Sequence, residues 1–527
     1  MGSIIDARGR PLAVQASSYG GQDRFTPELA RWTPMLRAPD DAVLDTWETD
    51  VGRLRDLTQT NGFASGAVQT MIDQIVGSDL KLVAKPDWRA LGLSKEWASD
   101  WERQVEAAWR GWAKDLEKRC HASESLDFTG MVNQGQRGYF ITGEITATLE
   151  WINRPAWPYR TAIQPIDPER VSNPYGTLDT PRMRAGIEKN RFGAPIAAHI
   201  REAHPHDWTD RANTFRWKRV PYHTEWGRRL FIHIFDQQRP SQTRGQTGFL
   251  SGIKQVKMLE RWQQTSLQAA IINAMYAAVI ESSMDHPAVI EALAGQGGSP
   301  LTAYMGDALE FHKGTNKIQW DGSKIAHLFP GEKLSMMSAE HPVAAFEQFE
   351  SAALRNLAAS WNMSYEQLSR DYSKTNYSSA RASMLEAWKY IISRRHLIAG
   401  HYASQIYAAW LEDAIDAGQI ELPPGAPDFY APLAKRAYCQ CQWIGPAREH
   451  IDPLKGAKAE EAYYQLHATT LEEICAERGK DWEEVVEQRA HEKRVIEAAG
   501  LSADDAMGIV RRNVAVDEDK ETETDDD

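Results

Sequence analysis

With 527 residues, 42% of them hydrophobic and 25% charged, the chain has the composition of a globular protein with a real core, in two to four domains or as one large body with appendages. Its formal net charge is -13, but the last eleven residues, DEDKETETDDD (517–527), hold eight acids and one lysine and carry -7, leaving -6 on the other 516. That remainder decides neither for nor against nucleic acid. The acidic run reads as a disordered, solubilising tail, the alternative being a charge-based partner site.

No apolar run reaches the ~20 residues that span a bilayer, so no membrane is expected. Of the four cysteines, Cys120, Cys439, Cys441 and Cys475, only the C-Q-C pair is close, and no second pair completes a zinc site. No secretory signal opens the sequence, so free thiols in a reducing cytoplasm are expected. Nineteen scattered tryptophans demand much buried surface, within the chain or between copies of it.

Residues 1–40, rich in Gly, Ser, Pro and Arg, read as an extended arm. From Asp41 to about Val76, Val51, Leu54 and Leu57 and then Ala64, Val68, Met71 and Ile75 recur at helical spacings. VNQGQRGYFITGEITATLEWI reads as a helix turning into strands, and the chain stays mixed α/β to Asp236, with RLFIHIF (229–235) a strand. A long helix is expected over 244–283, with Leu267, Ala270, Ile271, Ala274 and Ala278 on one close-packing face. A Pro- and Gly-punctuated insert (285–341) follows, with a hairpin around PGEK (330–333).

A second helix starts after Pro342, with Phe346, Phe349, Ala353 and Leu357 on one side. Then comes SRDYSKTNYSSARAS (369–383), polar, aromatic and mildly basic, without an aliphatic side chain larger than alanine. A third helix runs from about Ser379 to Ala417. Short strands in QIELPP and YCQCQWI lead to C-terminal helices, one started by Asp452-Pro453 and one by a capping box of Thr470 and Glu473.

The common catalytic signatures are missing. No G-x-x-x-x-G-K-[ST] loop can cradle phosphates, since Gly479-Lys480 is followed by aspartate, and G-x-S-x-G is absent. His199, His204 and His206 have neither metalloprotease nor zinc-finger spacing and read as satisfied histidines of a turn. No catalytic residue, metal or cofactor is assigned. Lys254, Lys257 and Arg261 share a helix face, which reads first as a solvated side and second as a strip facing an acidic neighbour or DNA.

Five segments in order resemble the lambda-type portal proteins of tailed bacteriophages, the head-tail connector family. They are RLRDLTQTNGFASGAVQTMIDQIVGSDLKL (53–82), QPIDPERVSNP (164–174), FIHIFDQQRPSQTRGQTGFL (231–250), SYEQLSRDYSKTNYSSARASMLEAW (364–388) and QWIGPAREHIDPLKGAKAE (442–460). The resemblance implies an α+β portal fold. Its parts would be an arm (1–40), an α/β wing (41–245), a stem helix (246–284), a clip (285–341), a second stem helix (342–362) and a channel loop (363–378). A spine helix returning to the wing (379–446), a helical crown (447–516) and the disordered tail (517–527) complete it.

It also implies a dodecameric ring, a homo-oligomer at one capsid vertex of the virion, assembled in the host cytoplasm. Double-stranded DNA would pass through it without sequence-specific contacts, driven in by a terminase. A head-completion or adaptor protein, the major capsid protein and scaffold protein are the other implied partners. The polar stretch then falls at the channel loop, and Arg370, Lys374, Asn376 and Tyr377 are the expected DNA-facing residues. Ala270, Ala274, Ala278, Phe346 and Phe349 are the expected subunit-packing face. Read from its residues alone, the same stretch is a helix connection whose Ser378 or Ser379 caps the next helix. The alternative function is an enzyme with an undetected site, such as a metal-dependent nuclease.

Overall fold

Polar caps and left-handed glycines divide the first part of the chain into its elements. The structure, a computed structural model, describes residues 31, 33–275, 279–282, 310, 317–320, 323–326, 332–335, 343–373, 377–447 and 453–498. It divides into two compact units, one of Met1–Leu250 with Trp388–Asp527, the other of Ser251–Ala387.

In the larger unit, α1 (Trp47–Thr60) ends at Asn61, whose Oδ1 accepts from the amides of Phe63 and Ala64 at 3.1 Å and so starts α2 (Gly62–Ile75). The expected apolar faces of both helices are buried. After β1 (Lys81–Ala84), Ser94 caps α3 (Lys95–Ala113), which buries Trp101, Val105, Trp109 and Trp112 at helical spacing. Asp127 caps α4 (Phe128–Thr142), and Gly143 ends it at φ 90°, a value that suits glycine. The chain turns there into β2 (Glu144–Trp151), the centre of an antiparallel sheet between β3 (Thr161–Ile166) and β8 (Phe231–Phe235). The first six residues of β2 are all buried, so the sheet is covered on both faces there.

Between β3 and β8 lies a four-stranded meander: β4 (Met183–Arg184), β5 (Ile187–Lys189), β6 (Pro195–Arg201) and β7 (Trp217–Pro221). Ile187, Ala198, Ile200 and Val220 bury one face of it in a core with Tyr222 and Phe231.

In the smaller unit, α5 (Ile253–Met275) is followed by β9 (Val279–Ser282), which pairs antiparallel with β12 (Glu332–Ser335). β10 (Lys317–Trp320) and β11 (Ser323–Ala326) form a hairpin, and α6 (Val343–Ser360) and the short α7 (Tyr365–Ser369) follow.

α8 (Tyr377–Arg394) crosses from the smaller unit into the larger, where a π-helical turn (Arg395–Gly400) leads to α9 (His401–Asp416). α9 packs on β2, β3 and β8. Its Tyr407 and Trp410 meet Trp109 with ring centroids 5.7 and 5.1 Å away, and Trp112, Phe128 and Trp443 complete the cluster. Much of the tryptophan content is thus spent inside one chain. β13 (Cys441–Ile444) pairs with β1, and α10 (Pro453–Gln465), α11 (Leu471–Glu477) and α12 (Trp482–Ala498) close the described chain.

Several expectations need correction. The helix expected over 244–283 opens with a 3-10 turn at Gly248–Gly252, and Val279–Ser282 is a strand, since β-branched Val279 and Ile280 favour pairing with β12. Glu332 and Lys333 of PGEK belong to β12, whose partner is β9, so no hairpin joins β11 to β12. The hairpin that does form is β10–β11, and Asp321-Gly322 stands between its strands in the sequence. QIELPP is no strand, because the amides of Gln419 and Ile420 fold back onto the Ala414 carbonyl at the end of α9. The third helix is interrupted by its π turn, and Ser378 and Ser379 lie inside α8, not at its cap. The Thr470–Glu473 capping box is present, and α10 opens at Pro453. Residues 1–30 and 499–527 lie outside the described residues.

The sheets, α1 and the loops between them meet at one buried cation. Arg244 donates to the Glu144 carboxylate and to the carbonyls of Val171 (2.9 Å), Pro168 (2.9 Å) and Ala185 (3.1 Å). His233 Nε2 lies 2.8 Å from Glu144 and the amide of Gly245 donates to it at 3.0 Å, while Trp47 lies against the guanidinium. Burial alone would push Glu144 up, but the Arg244 charge and His233 outweigh it and hold it at about 2. Arg244→Met should therefore cost about 3–5 kcal/mol, because it strands the Glu144 charge. Arg244→Met/Glu144→Gln should recover part of the loss, measured as melting temperature. Equal melting of both variants would remove the stranded charge as the cause.

A second acidic group behaves in the opposite sense. Burial raises Glu102 and Glu106 on α3 to about 7, reinforced by Glu483 and Asp481 and, for Glu106, opposed by the Ala84 amide. A carboxyl raised in the folded state binds its proton more tightly there. Folding is therefore penalised most above pH 7, and the penalty fades as pH falls from 7 toward 4.5. The melting temperature should rise from pH 8 to pH 6, and Glu102→Gln/Glu106→Gln should raise it at pH 8 and flatten the profile. A variant that keeps the wild-type slope would assign the dependence elsewhere.

Candidate channel and subunit-packing surfaces

Within the smaller unit, α5 and α6 form an antiparallel helix hairpin. Ser251 Oγ donates to the Ser360 carbonyl (3.4 Å), Gln255 to Asn356 (3.0 Å) and Gln263 to Glu350 (2.6 Å), a continuous register along both helices. At its base Gly252 is required, because a Cβ there would overlap the Trp361 indole and Leu357. Val256, Leu259, Leu354, Leu357 and Ala358 are buried. Higher up, Trp262 stacks on Phe346 at 4.2 Å and 21° and meets Phe349 at 4.6 Å.

Extended further, the register sets Leu267 against the first turn of α6, where that helix begins. Leu267 (63%) and Ile271 (49%) are accordingly exposed, with Ala270 exposed beside them. The expected packing face is therefore an exposed apolar stripe at Leu267, Ala270 and Ile271; Ala274 lies in the last turn of α5, and Ala278 lies outside the described residues. Phe346 and half-exposed Phe349 clasp Trp262 of their own chain, a role the sequence reading missed. Lys254, Lys257 and Arg261 are exposed on α5, Lys257 pairing with Glu260 at 3.1 Å.

Local hydrogen bonds fix the start of the polar stretch and the turn before it. Ser364 caps α7 in a capping box with Gln367, a signal legible in S-Y-E-Q but passed over. Arg370 ends α7 at φ 56°, its amide donating to the Glu366 carbonyl at 2.8 Å and its side chain exposed. Asp371 Oδ1 then accepts from the amide (3.0 Å) and hydroxyl (2.6 Å) of Ser373, an Asx turn that leaves Tyr372 exposed. Lys374 and Asn376 lie outside the described residues, and Tyr377 opens α8.

Histidine chemistry resolves locally. His199 Nε2 lies 2.6 Å from Glu188, which also binds Arg219. Asp167, Glu169 and His204 bring their ligand atoms within 4.8 Å of one another, the one such grouping among the described residues. Arg55 donates to both of those carboxylates, so a cation already occupies their charge.

With these surfaces in place, the comparisons assign the class: the chain belongs to the lambda family of phage portal proteins, whose model matches residues 25–395. It is 35% identical over 494 residues to portal protein B of Escherichia phage lambda, covering 93% of this chain and 92% of that protein. It is likewise 35% identical over 505 residues to the portal protein of Escherichia phage N15, covering 95% and 94%. Among solved structures, it is similar to a chain in the neck of an empty GTA particle, with a TM-score of 0.46 and 12% identity over 84% of this chain and 95% of that one.

Proposed function

We infer that this chain works as the portal of a tailed phage. Copies of it close into a ring, twelve as the family resemblance implies, at one vertex of the capsid. Double-stranded DNA enters through the channel under a separate terminase and leaves later toward the tail. One observation carries this reading: the 35% identity to the lambda portal protein extends over 93% of the chain, so it is not confined to one module. The chain is then a structural conduit and not an enzyme. No described feature favours the nuclease alternative, because Arg55 neutralises the best carboxylate grouping.

On this reading the larger unit supplies the wing, most of the spine and the start of the crown, and α5 and α6 are the stem. The strands β9–β12 belong to the clip, which docks terminase and later an adaptor protein, while capsid and scaffold proteins surround the ring. The stripe at Leu267, Ala270 and Ile271 meets the next copy through a head-to-tail interface, which closes into a ring when one rotation is repeated. Purified protein should show closed rings with a central hole in negative stain; monomers or small dimers would count against the portal reading. Ala270→Trp should leave the chain's melting temperature unchanged, since the site is exposed in one copy, but overpack the ring by roughly 1–3 kcal/mol per subunit. Wild-type yields of rings from that variant would take α5 out of the interface.

The polar segment after α7 lines the channel, with Arg370, Lys374, Asn376 and Tyr377 toward DNA. A channel lining should not grip, because each phosphate contact adds salt-dependent affinity and a ring repeats it around the axis. Hydroxyls, an amide and a few cations offset by Asp371 keep contacts weak and replaceable. Lys374→Glu would set a ring of negative charge against DNA that carries one charge per roughly 1.7 Å. Rings should still form, while packaging or retention of DNA fails, more severely at low ionic strength. A variant that packages and holds full genomes at every salt concentration would show the segment to be a plain connector.

A further inference from the structure

The meander β4–β7 is a basic island in an acidic chain. From Arg182 to Arg219 the sequence has nine Arg and Lys residues against four Asp and Glu, a local charge of +5 in a chain of -13. Part of this charge is consumed locally, Arg219 by Glu188 and Arg184 by Asp40 and Asp41. Arg191, Arg211, Arg216 and Lys218 are exposed, and no ion pair to them is found among the described residues.

The same region exposes large apolar side chains. In the β6–β7 connection Trp208 is 80% exposed and Phe215 64%, and at the other end of β6 Phe192 is 80% exposed. Arginines lie over the rings: Arg211 over Trp208 at 5.8 Å, Arg191 over Phe192 at 4.5 Å and Arg201 over Trp217 at 4.8 Å. Trp208, Phe215, Arg201, Arg211, His206 and Asp207 line an open cleft of about 200 Å³. Arg201 Nε is buried there without a hydrogen-bond partner among the described residues. Exposed Trp and Arg around a cleft are the composition of a protein-binding hot spot.

Charge alone would also suit DNA. An intact duplex, however, keeps its base faces stacked inside and offers no partner to Trp208 and Phe215. The cleft suits a peptide that presents apolar side chains next to a run of acids. One such segment belongs to this chain. Residues 506–527, AMGIVRRNVAVDEDKETETDDD, carry Met507, Ile509, Val510, Val514 and Val516 around Arg511 and Arg512, and then eight acids with one lysine, a net charge of -5. Beyond Ala498, where α12 ends, 29 residues remain, enough to span up to roughly 100 Å when extended. That exceeds the ~55 Å breadth expected of a compact body the size of the larger unit.

We propose that residues 506–527 dock on the basic, aromatic face of the β4–β7 meander. The apolar part enters the cleft between Trp208 and Phe215, and the acidic run lies along Arg211 and Arg216. The terminal charge then shields a surface that would otherwise collect anions, and the docking stands independently of the portal reading, since it needs no ring.

The test is site-specific photocrosslinking in the full chain, with p-benzoylphenylalanine in place of Trp208 and, as a control, in place of exposed Leu116, which does not line the cleft. At low salt the probe at 208 should capture peptides from 506–527 and the probe at 116 should not. The yield should fall about tenfold in 0.5 M salt and about tenfold in Arg211→Glu/Arg216→Glu, since the contact is largely electrostatic. Crosslinks from 208 to other segments, equal capture from 116, or a yield unmoved by the charge reversal would each overturn the proposal. A 30-bp DNA duplex added in excess is the last arm: an unchanged crosslink to 506–527 is expected, whereas displacement of that segment by duplex would make the face a DNA surface. Mixing isotopically labelled and unlabelled chains reads whether the captured segment is the chain's own or a neighbour's, and capture in either form sustains the proposal.

Discussion

The larger unit depends on the burial of one cation. Arg244 is 2% exposed and its partner Glu144 fully buried, so each would face a large desolvation penalty alone. Together with His233 and the Gly245 amide they satisfy most of each other's capacity, and three backbone carbonyls take the rest of the guanidinium. Those carbonyls belong to the turn after β3 and to the meander, Glu144 to β2, His233 to β8 and Trp47 to α1. The pair adds little net stability over a hydrophobic replacement. Its effect is on specificity, since a sheet that slipped register would leave a charge unpaired in the core.

Glycine completes that junction. A Cβ on Gly245 would overlap the Gly143 carbonyl, and a Cβ on Gly143 would overlap the backbone of Gln246. The turn from α4 into β2 and the strand of chain that leads toward Ser251 therefore touch backbone to backbone, five residues before the division between the units. Directly after α8 a second cation does similar work: Arg395 donates to the carbonyls of Ile75 (2.8 Å), Gln74 (2.7 Å) and Pro446 (3.1 Å) from within the π turn. Its neighbour Arg394 holds Asp236 (2.6 Å) and Tyr139 (2.8 Å). A π turn adds one residue to the helical repeat, and here the added residue aims two consecutive arginines at different segments.

What could be read in the sequence follows from how local each signal is. The faces of α1 and α2, the strand at Phe231–Phe235 and the Thr470–Glu473 box rest on spacings of a few residues, and all are present. The π turn has no such signal, because the three carbonyls that Arg395 reaches from it lie far away in the sequence. The apolar period of α5 runs on into Val279 and Ile280, so only pairing with Glu332–Ser335 reveals the strand. On the candidate surfaces, the exposed stripe at Leu267 and Ala270 was legible as a helix face. The clasp of Trp262 by Phe346 and Phe349 was not, since it depends on the register of two helices some eighty residues apart.

The helix hairpin also shows how one apolar surface can be divided between a fold and an assembly. Near its base, Val256 and Leu259 are buried by the chain's own second helix. Toward the far end, at the first turn of that helix, Leu267 and Ile271 stay exposed, and the side chains there shrink to alanine. Small side chains gain little from burial by one neighbour, about 0.8 kcal/mol per methylene-sized group, but they let a second backbone approach closely. A surface built this way contributes little to the stability of a single chain, and it becomes useful only where another helix is brought against it at short range.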